Sequence, residues 1–337
     1  MAKKVGNFTV ALERPVVFRG GGAIVGKMEK QGPLGDYFDH VVQDDLWGEK
    51  SWEKAESKMY YEAVRHAVKD AGLMAEEIDL LAGGDLLNQL ISAGFAARET
   101  EFPFLGLYGA CSTMAESLII GSMAIEAGFA HHVACCVTSH FSTAERQFRT
   151  PLELGTQKTP TAQRTVTGAG ASVLSVSGQG PRITGCTIGK VLDYGIKDAA
   201  NMGAAMAPAA ADTIYRHLSD TGRDPGYYDA IVTGDLGIFG QQLMLEQLRE
   251  KGMDLRDVAW DCGIEIFSQD QDPHMGGSGC GCSATVLNAY LLRRLREGDL
   301  NRILFVATGA LLSPLSTLQG ESIPSIAHGV VIERGDG

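Results

Sequence analysis

Cys111 is the residue of this chain best placed to do chemistry. It lies in FPFLGLYGACSTMAESL, where an apolar strand ends at Leu107, glycine and alanine make a turn, and a helix begins at once. A thiol at a helix N-terminus meets free backbone N–H groups and the positive end of the dipole, which favour thiolate. That is the arrangement of an activated nucleophile. The bland alternative is a small buried hydrophobe, and the strand–turn–helix context favours a site. His274, in DPHMGGSGCGCSATVL, is followed by glycines and a new helix. It can sit at the mouth of a pocket as a general base, or lie on a surface loop. The neighbouring Cys280-Gly-Cys282 lacks the second ligand pair of a structural zinc site, so neither a metal nor a cofactor is expected.

Two further groups of residues have types suited to binding. Asp85 and Asp235 end similar apolar strands, each near an amide side chain (Asn88 and Gln241). Paired carboxylates can act as acid and base, although turn chemistry and helix capping explain them as well. The segment SHFSTAERQFRTPLELGTQK places His140, Arg146, Arg149 and Lys158 close together in an acidic chain. Arginine grips a carboxylate with two hydrogen bonds at once; the alternative is salt bridging to Glu145 and Glu153. The glycine runs match neither a dinucleotide fingerprint nor a P-loop, because Gly20–Gly22 has no following lysine and hydroxyl residue.

The elements that position these residues occur twice. Gly72 and Gly222 lie 150 positions apart, and Asp79 with Asp229 and Asp85 with Asp235 keep that offset. Gly128 and Gly298 lie 170 apart, so the second half carries an insertion. Each half reads helix (53–71 and 207–221), strand (78–82 and 228–233), helix, and a second strand (133–137 and 303–308). The strands are continuous apolar runs, which predicts cover on both faces. The helix after Cys111 is apolar nearly all round from Leu118 to Ile125, which predicts a central, buried position. Alternating helices and strands of this kind give an α/β fold. The halves are residues 1–178 and 179–337, with the seam in SGQGPR (177–182), where glycine and proline interrupt two β-like runs. Function is expected where the halves meet, because two copies of one scaffold can diverge there.

Composition removes several classes of function. The 337 residues are 45% hydrophobic and 21% charged, with a net charge of −12 and no polybasic run. Nucleic acid is therefore an unsuitable partner. The first fifteen residues contain no apolar stretch of signal-peptide type, and runs such as Ile303–Ala307 are too short to span a bilayer. Seven scattered cysteines suit a reducing compartment better than a disulfide framework. A cytoplasmic location is expected, with any membrane attachment peripheral.

With the duplication, the strand–Cys–helix of GACSTM, the HMGGSG after the insertion and the terminal IAHGVVIE in view, the chain resembles the thiolase superfamily. That superfamily includes thiolases and ketoacyl-carrier-protein synthases. More narrowly it resembles the stage V sporulation protein AD family of spore-forming bacteria, through KQGPLGDYFD, AGGDLLNQ, LYGACSTMAES, TAERQFR, MAPAAADTI, GGSGCGCSA, NRILFVATGALLSP and ESIPSIAHGVV, from about Pro15 to Glu333. The resemblance implies a five-layered αβαβα sandwich of two duplicated halves, as a homodimer. It implies binding of dipicolinic acid (pyridine-2,6-dicarboxylate) for uptake into the developing spore, beside membrane proteins of the same operon at the spore inner membrane. Calcium, which accumulates with this acid, stays open as a companion ligand. Carried over by motif, Cys111 matches the superfamily's acyl-accepting cysteine and His274 the histidine of its GHPxGASG-type loop, with one residue missing. Asp235 stands at a strand end where the enzymes keep histidine or asparagine. The glycine-rich loop that closes the superfamily site reads LQGESIPSIAHG here, and TGAGASVL (167–174) replaces GDGAGAVVL. Lost oxyanion donors are worth about 3 kcal/mol of barrier each. The resemblance therefore implies a retained scaffold with condensing activity abandoned, and a cysteine-dependent acyltransferase is the alternative.

Overall fold

The computed structural model describes residues 2–148 and 158–335. Helix α1 (Trp52–Asp70) opens on Ser51, whose hydroxyl accepts the Lys54 N–H, and turns its alanines, Met59, Tyr60 and Val64 inward. It follows strand β1 (Thr9–Val25) and leads into β2 (Leu80–Asp85). Then come α2 (Ile91–Thr100), β3 (Phe104–Gly106), α3 (Thr113–Glu126), β4 (His132–Ser139), α4 (Phe141–Phe148) and β5 (Gly168–Ser175). The second set is β6 (Arg182–Ile188), α5 (Met202–Thr221), β7 (Ala230–Thr233), α6 (Gly237–Glu250), β8 (Ala259–Asp261), α7 (Cys280–Val286), β9 (Arg302–Ala310) and β10 (Ser325–Glu333). Helix α5 begins five residues earlier than its apolar pattern predicts. The Asn201 side chain caps it by accepting the Ala204 N–H, and Pro208 is carried inside.

The strand order β3-β2-β4-β5-β1 continues directly into β6-β10-β9-β7-β8. The second five strands thus repeat the first in mirror order about the antiparallel β1–β6 pair. Directions repeat as well: β2 is parallel to β3 and β4, as β7 is to β8 and β9. Even the register repeats. Leu80 pairs with Val133, and Ala230, 150 positions on, pairs with Ile303, which lies 170 positions after Val133.

Strand alternation distributes the strands' two faces among three cores. On β4, Val133, Cys135 and Val137 face a central core, while Ala134 and Cys136 join α1 and α2 outside. On β9, Ile303, Phe305 and Ala307 face the same central core, while Leu304 and Val306 join α5 and α6. Helix α3 packs on strands of both sets, with α7 beside it. The layers are therefore α1/α2, sheet, α3/α7, sheet and α5/α6, the expected αβαβα sandwich. Continuous apolar strands are explained by this double cover, and α3 is apolar all round because it lies in the middle layer. All seven cysteines are reduced and buried. No helix among the described residues is long and apolar enough to cross a membrane.

Candidate functional site

The turn before α3 is bent by sequence. Ala110 adopts φ +52°, and hydroxyls tie the turn: Ser112 donates to the Gly109 carbonyl at 2.7 Å and Thr113 to that of Ala110 at 2.7 Å. The end of β9 comes down on this turn. A side chain at Gly309 would put its Cβ 2.2 Å from the Gly109 carbonyl oxygen, so only glycine permits the contact. The result delivers Cys111 to the floor of a cavity between the halves.

That cavity is walled by Leu86, Tyr108, Ala110, Ala144, Glu145, Phe148, Gln163, Thr165, Ala199, Ala200, Met202, Ser278, Ala310 and Leu312. Counting its open mouth it holds about 600 Å³ of empty space. It is a narrow, mostly apolar slot with a few polar groups, the composition of a small-molecule site.

Asp235 lies under the thiol. It is fully buried at the end of β7 and accepts from Ser278 Oγ at 3.1 Å, the Gly279 N–H at 2.9 Å and Thr308 Oγ1 at 2.9 Å. The Cys111 thiol is hydrogen-bonded to the same carboxylate. Burial raises the Asp235 carboxyl to about 6, against the pull of these donors. Its loop is fixed in turn: Gln163 Nε2 donates to the Asp235 carbonyl at 2.8 Å, and Asp261 accepts the Leu236 and Gly237 N–H groups. The helix-dipole expectation for Cys111 is thereby reversed. Burial pushes the thiol well above its ordinary value, and Asp235 and Cys280 push it further, with only the Gly279 N–H acting the other way. A thiol that donates to a carboxylate keeps its proton.

The remaining expected residues scatter. His274 adopts φ +55°, pairs its backbone with Gln163, and holds its ring 3.9 Å from Asp272; it is not among the cavity-lining residues. Ser278, farther along the same loop, lines the cavity and His274 does not. His140 is buried with both ring nitrogens engaged, Nε2 on the Asp45 carbonyl at 3.0 Å and Nδ1 accepting the Ser142 N–H at 3.2 Å. Burial lowers its basicity, and it holds a loop instead of lining the cavity. Arg146 is paired with Glu53 and stacked over Trp52, outside the lining. Lys158 reaches Glu145 at 3.5 Å over the Phe141 ring, so it stands behind one cavity wall through that pair. Arg149 lies outside the described residues.

Asp85 caps the loop after β2, accepting the Leu87 N–H at 2.9 Å and that of Ala93 at 2.7 Å. Burial raises it to about 6. Asn88 accepts from the Tyr108 hydroxyl at 2.9 Å, and so touches the cavity through Tyr108. Sequence reasoning passed over Tyr108, Gln163, Thr165, Ser278 and Glu145 as wall residues. Three of them sit inside motifs already singled out, LYGACS, GGSG and TAERQF. Among the described residues no group of three or more histidine, cysteine or acidic side chains is poised to hold a metal.

The sequence profile of the stage V sporulation protein AD family matches residues 6–333. Stage V sporulation protein AD of Bacillus subtilis (strain 168) is 46% identical over 335 residues, covering 99% of each chain. The chain belongs to the stage V sporulation protein AD family. Among solved structures, 3-oxoacyl-[acyl-carrier-protein] synthase III of Aquifex aeolicus aligns over 94% of this chain and 99% of its own, with a TM-score of 0.58 at 16% identity. Cerulenin-bound OleA of Xanthomonas campestris aligns over 96% of this chain and 97% of its own, with a TM-score of 0.62 at 16% identity. These likenesses establish the thiolase-like fold of this family member.

Proposed function

We propose that the Cys111 cavity is a binding site for dipicolinic acid and that the protein captures this acid for uptake into the developing spore. The observation that carries the reading is the Cys111–Asp235 pair: the thiol is buried beside a carboxylate, burial and carboxylate both push its pKa up and away from a reactive thiolate, and no histidine is among the described lining residues, so the cavity suits holding a molecule. The apolar walls suit a flat aromatic ring, and the hydroxyls of Tyr108, Thr165 and Ser278 offer donors to carboxylates. Lys158 and Arg164, both over the ring of Phe141, bring positive charge close, the Arg164 guanidinium at 3.9 Å. A dianion entering here competes with Glu145 for Lys158. The reading has the protein attached peripherally at the spore inner membrane, beside the membrane proteins of its operon, and working as a homodimer. The outer edge of β3, where Leu105 is exposed, supports the last point.

Isothermal titration with dipicolinate, with and without calcium, tests this. One ligand per chain is expected, with binding lost in Ala200→Phe, which fills the slot from a half-buried loop position. Absence of heat and of any thermal shift at millimolar ligand overturns the proposal. The acyltransferase reading is favoured by one observation, the position of Cys111 on the cavity wall immediately before α3. It requires an acyl mass increment on Cys111 after exposure to a panel of acyl-coenzyme A thioesters.

A further inference from the structure

We propose that Glu56 is a positioning residue for the cavity, holding wall helix α4 in place as a neutral carboxylic acid that donates to Thr143. Helix α4 carries Ala144, Glu145 and Phe148 into the cavity wall. Thr143, in its first turn, has its Oγ1 3.0 Å from the His140 carbonyl and 2.8 Å from Glu56 Oε2. A hydroxyl has one hydrogen to give. If that hydrogen closes the helical turn onto His140, the shorter contact needs a hydrogen supplied by Glu56.

The surroundings favour that assignment. Glu56 is completely buried on α1. The described groups facing it are Asp85 from β2, Ser92 from α2, Thr143 from α4 and Cys280 from α7; none of these is a cation. Two neighbouring buried carboxylates retain a proton between them. Asp85 already accepts two short backbone N–H bonds, so it is the better home for the charge. Glu56 Oε1 and Ser92 Oγ are both buried and make no hydrogen bond of their own, so an ionised Glu56 would have only the Ser92 hydroxyl at hand for its second oxygen. Burial first, and then Asp85, holds this carboxyl well above the usual glutamate range. The folded chain therefore binds a proton that the unfolded chain gives up, and stability falls as pH rises from the ordinary glutamate value towards the raised one.

The inference rests on the cavity being the working site, but its test uses no ligand, so its failure is distinct from a failure to bind dipicolinate. Amide hydrogen exchange of residues 141–148, normalised for intrinsic rates, is followed from pH 5 to 9 in the full chain. In the wild type, exchange should rise by about tenfold as Glu56 ionises, the loss of one buried hydrogen bond. Glu56→Gln, whose amide can still donate to Thr143, should stay protected with a flat profile. Glu56→Ala should be loose at every pH. A Gln variant as loose as Ala, or a wild type whose profile is as flat as that of Gln, overturns the proposal.

Discussion

The two halves run the same backbone through two crossings: among the described residues one lines a cavity and the other packs glycine against backbone. In the first, the turn before α3 bears the Cys111 side chain and meets a bare strand end, Gly309. In the second, 170 positions on, the turn bears Gly281 and meets the strand end at Ser139. The Gly281 N–H donates to Ser139 Oγ at 3.1 Å, and a Cβ on Gly281 would lie 2.4 Å from the Gly168 carbonyl oxygen. Side chain and glycine have changed places across the pseudo-axis. One crossing presents a thiol to a slot and the other is packed solid. The aspartates follow suit: Asp85 spends its oxygens on its own loop, while Asp235 reaches the thiol of the other half. Duplication supplied two equivalent places, and packing density decided which could hold a molecule.

The largest effect should come from reopening that contrast at Gly281. Alanine is the better helix former by about 1 kcal/mol, so Gly281→Ala would stabilise α7 if the second crossing had room. Because the Cβ runs into backbone, a loss of about 3 kcal/mol is expected instead, read as a lower urea midpoint with unchanged slope. Cys111→Ala, at the equivalent place in the first half, should cost only about 1 kcal/mol. Equal losses, or a gain at Gly281, would mean that the two crossings are packed alike.

A smaller effect separates the two aspartates. Asp235→Asn removes the charge beside the Cys111 thiol, and a neighbouring like charge is worth roughly 1–3 pKa units. Alkylation of Cys111 by iodoacetamide at pH 8 should quicken by about tenfold, the lower end of that range. Asp85→Asn should leave that rate alone, because Asp85 faces Cys280 and Glu56 across the other crossing. Peptide mass spectrometry after timed labelling gives both rates. An unaltered Cys111 rate in Asp235→Asn would show that the carboxylate does not hold the thiol.

The sequence made the scaffold legible because the repeat was written in residues with positional duties. Aspartates at fixed offsets mark strand starts and ends, and all-apolar runs such as Ile303–Ala307 mark strands covered on both sides. The cavity floor was legible for the same reason, since a cysteine between a strand and a helix has few places to go. The walls were not. Charge type suggested Arg146 and Lys158, yet Arg146 pairs with Glu53 from a helix far off in the chain, and Lys158 pairs with Glu145, the salt bridge that was the alternative reading of that segment. His274 shows the opposite difficulty. Ser278 of its loop lines the cavity while His274 does not, and which way a residue at φ +55° aims its ring depends on backbone geometry that no spacing encodes.

The subtlest effect concerns a place where the halves have stayed the same. Asp79 Oδ2 accepts the N–H groups of His131 at 2.6 Å and His132 at 3.0 Å, clamping the start of β4. Asp229 Oδ2 accepts those of Asn301 at 2.6 Å and Arg302 at 2.8 Å, clamping β9. Donors and acceptors alike keep the offsets of the repeat. Both clamps are near solvent, so the freed N–H groups can turn to water and each bond is worth only about 0.5–1 kcal/mol. Asp79→Ala and Asp229→Ala should therefore each lower stability by about 1–2 kcal/mol, and the two losses should agree within about 0.5 kcal/mol because the sites are distant and independent. Urea unfolding of the two variants and their double mutant reads all three values. Unequal losses would mean that the halves have diverged even at the strand starts, where no ligand and no chemistry asks them to.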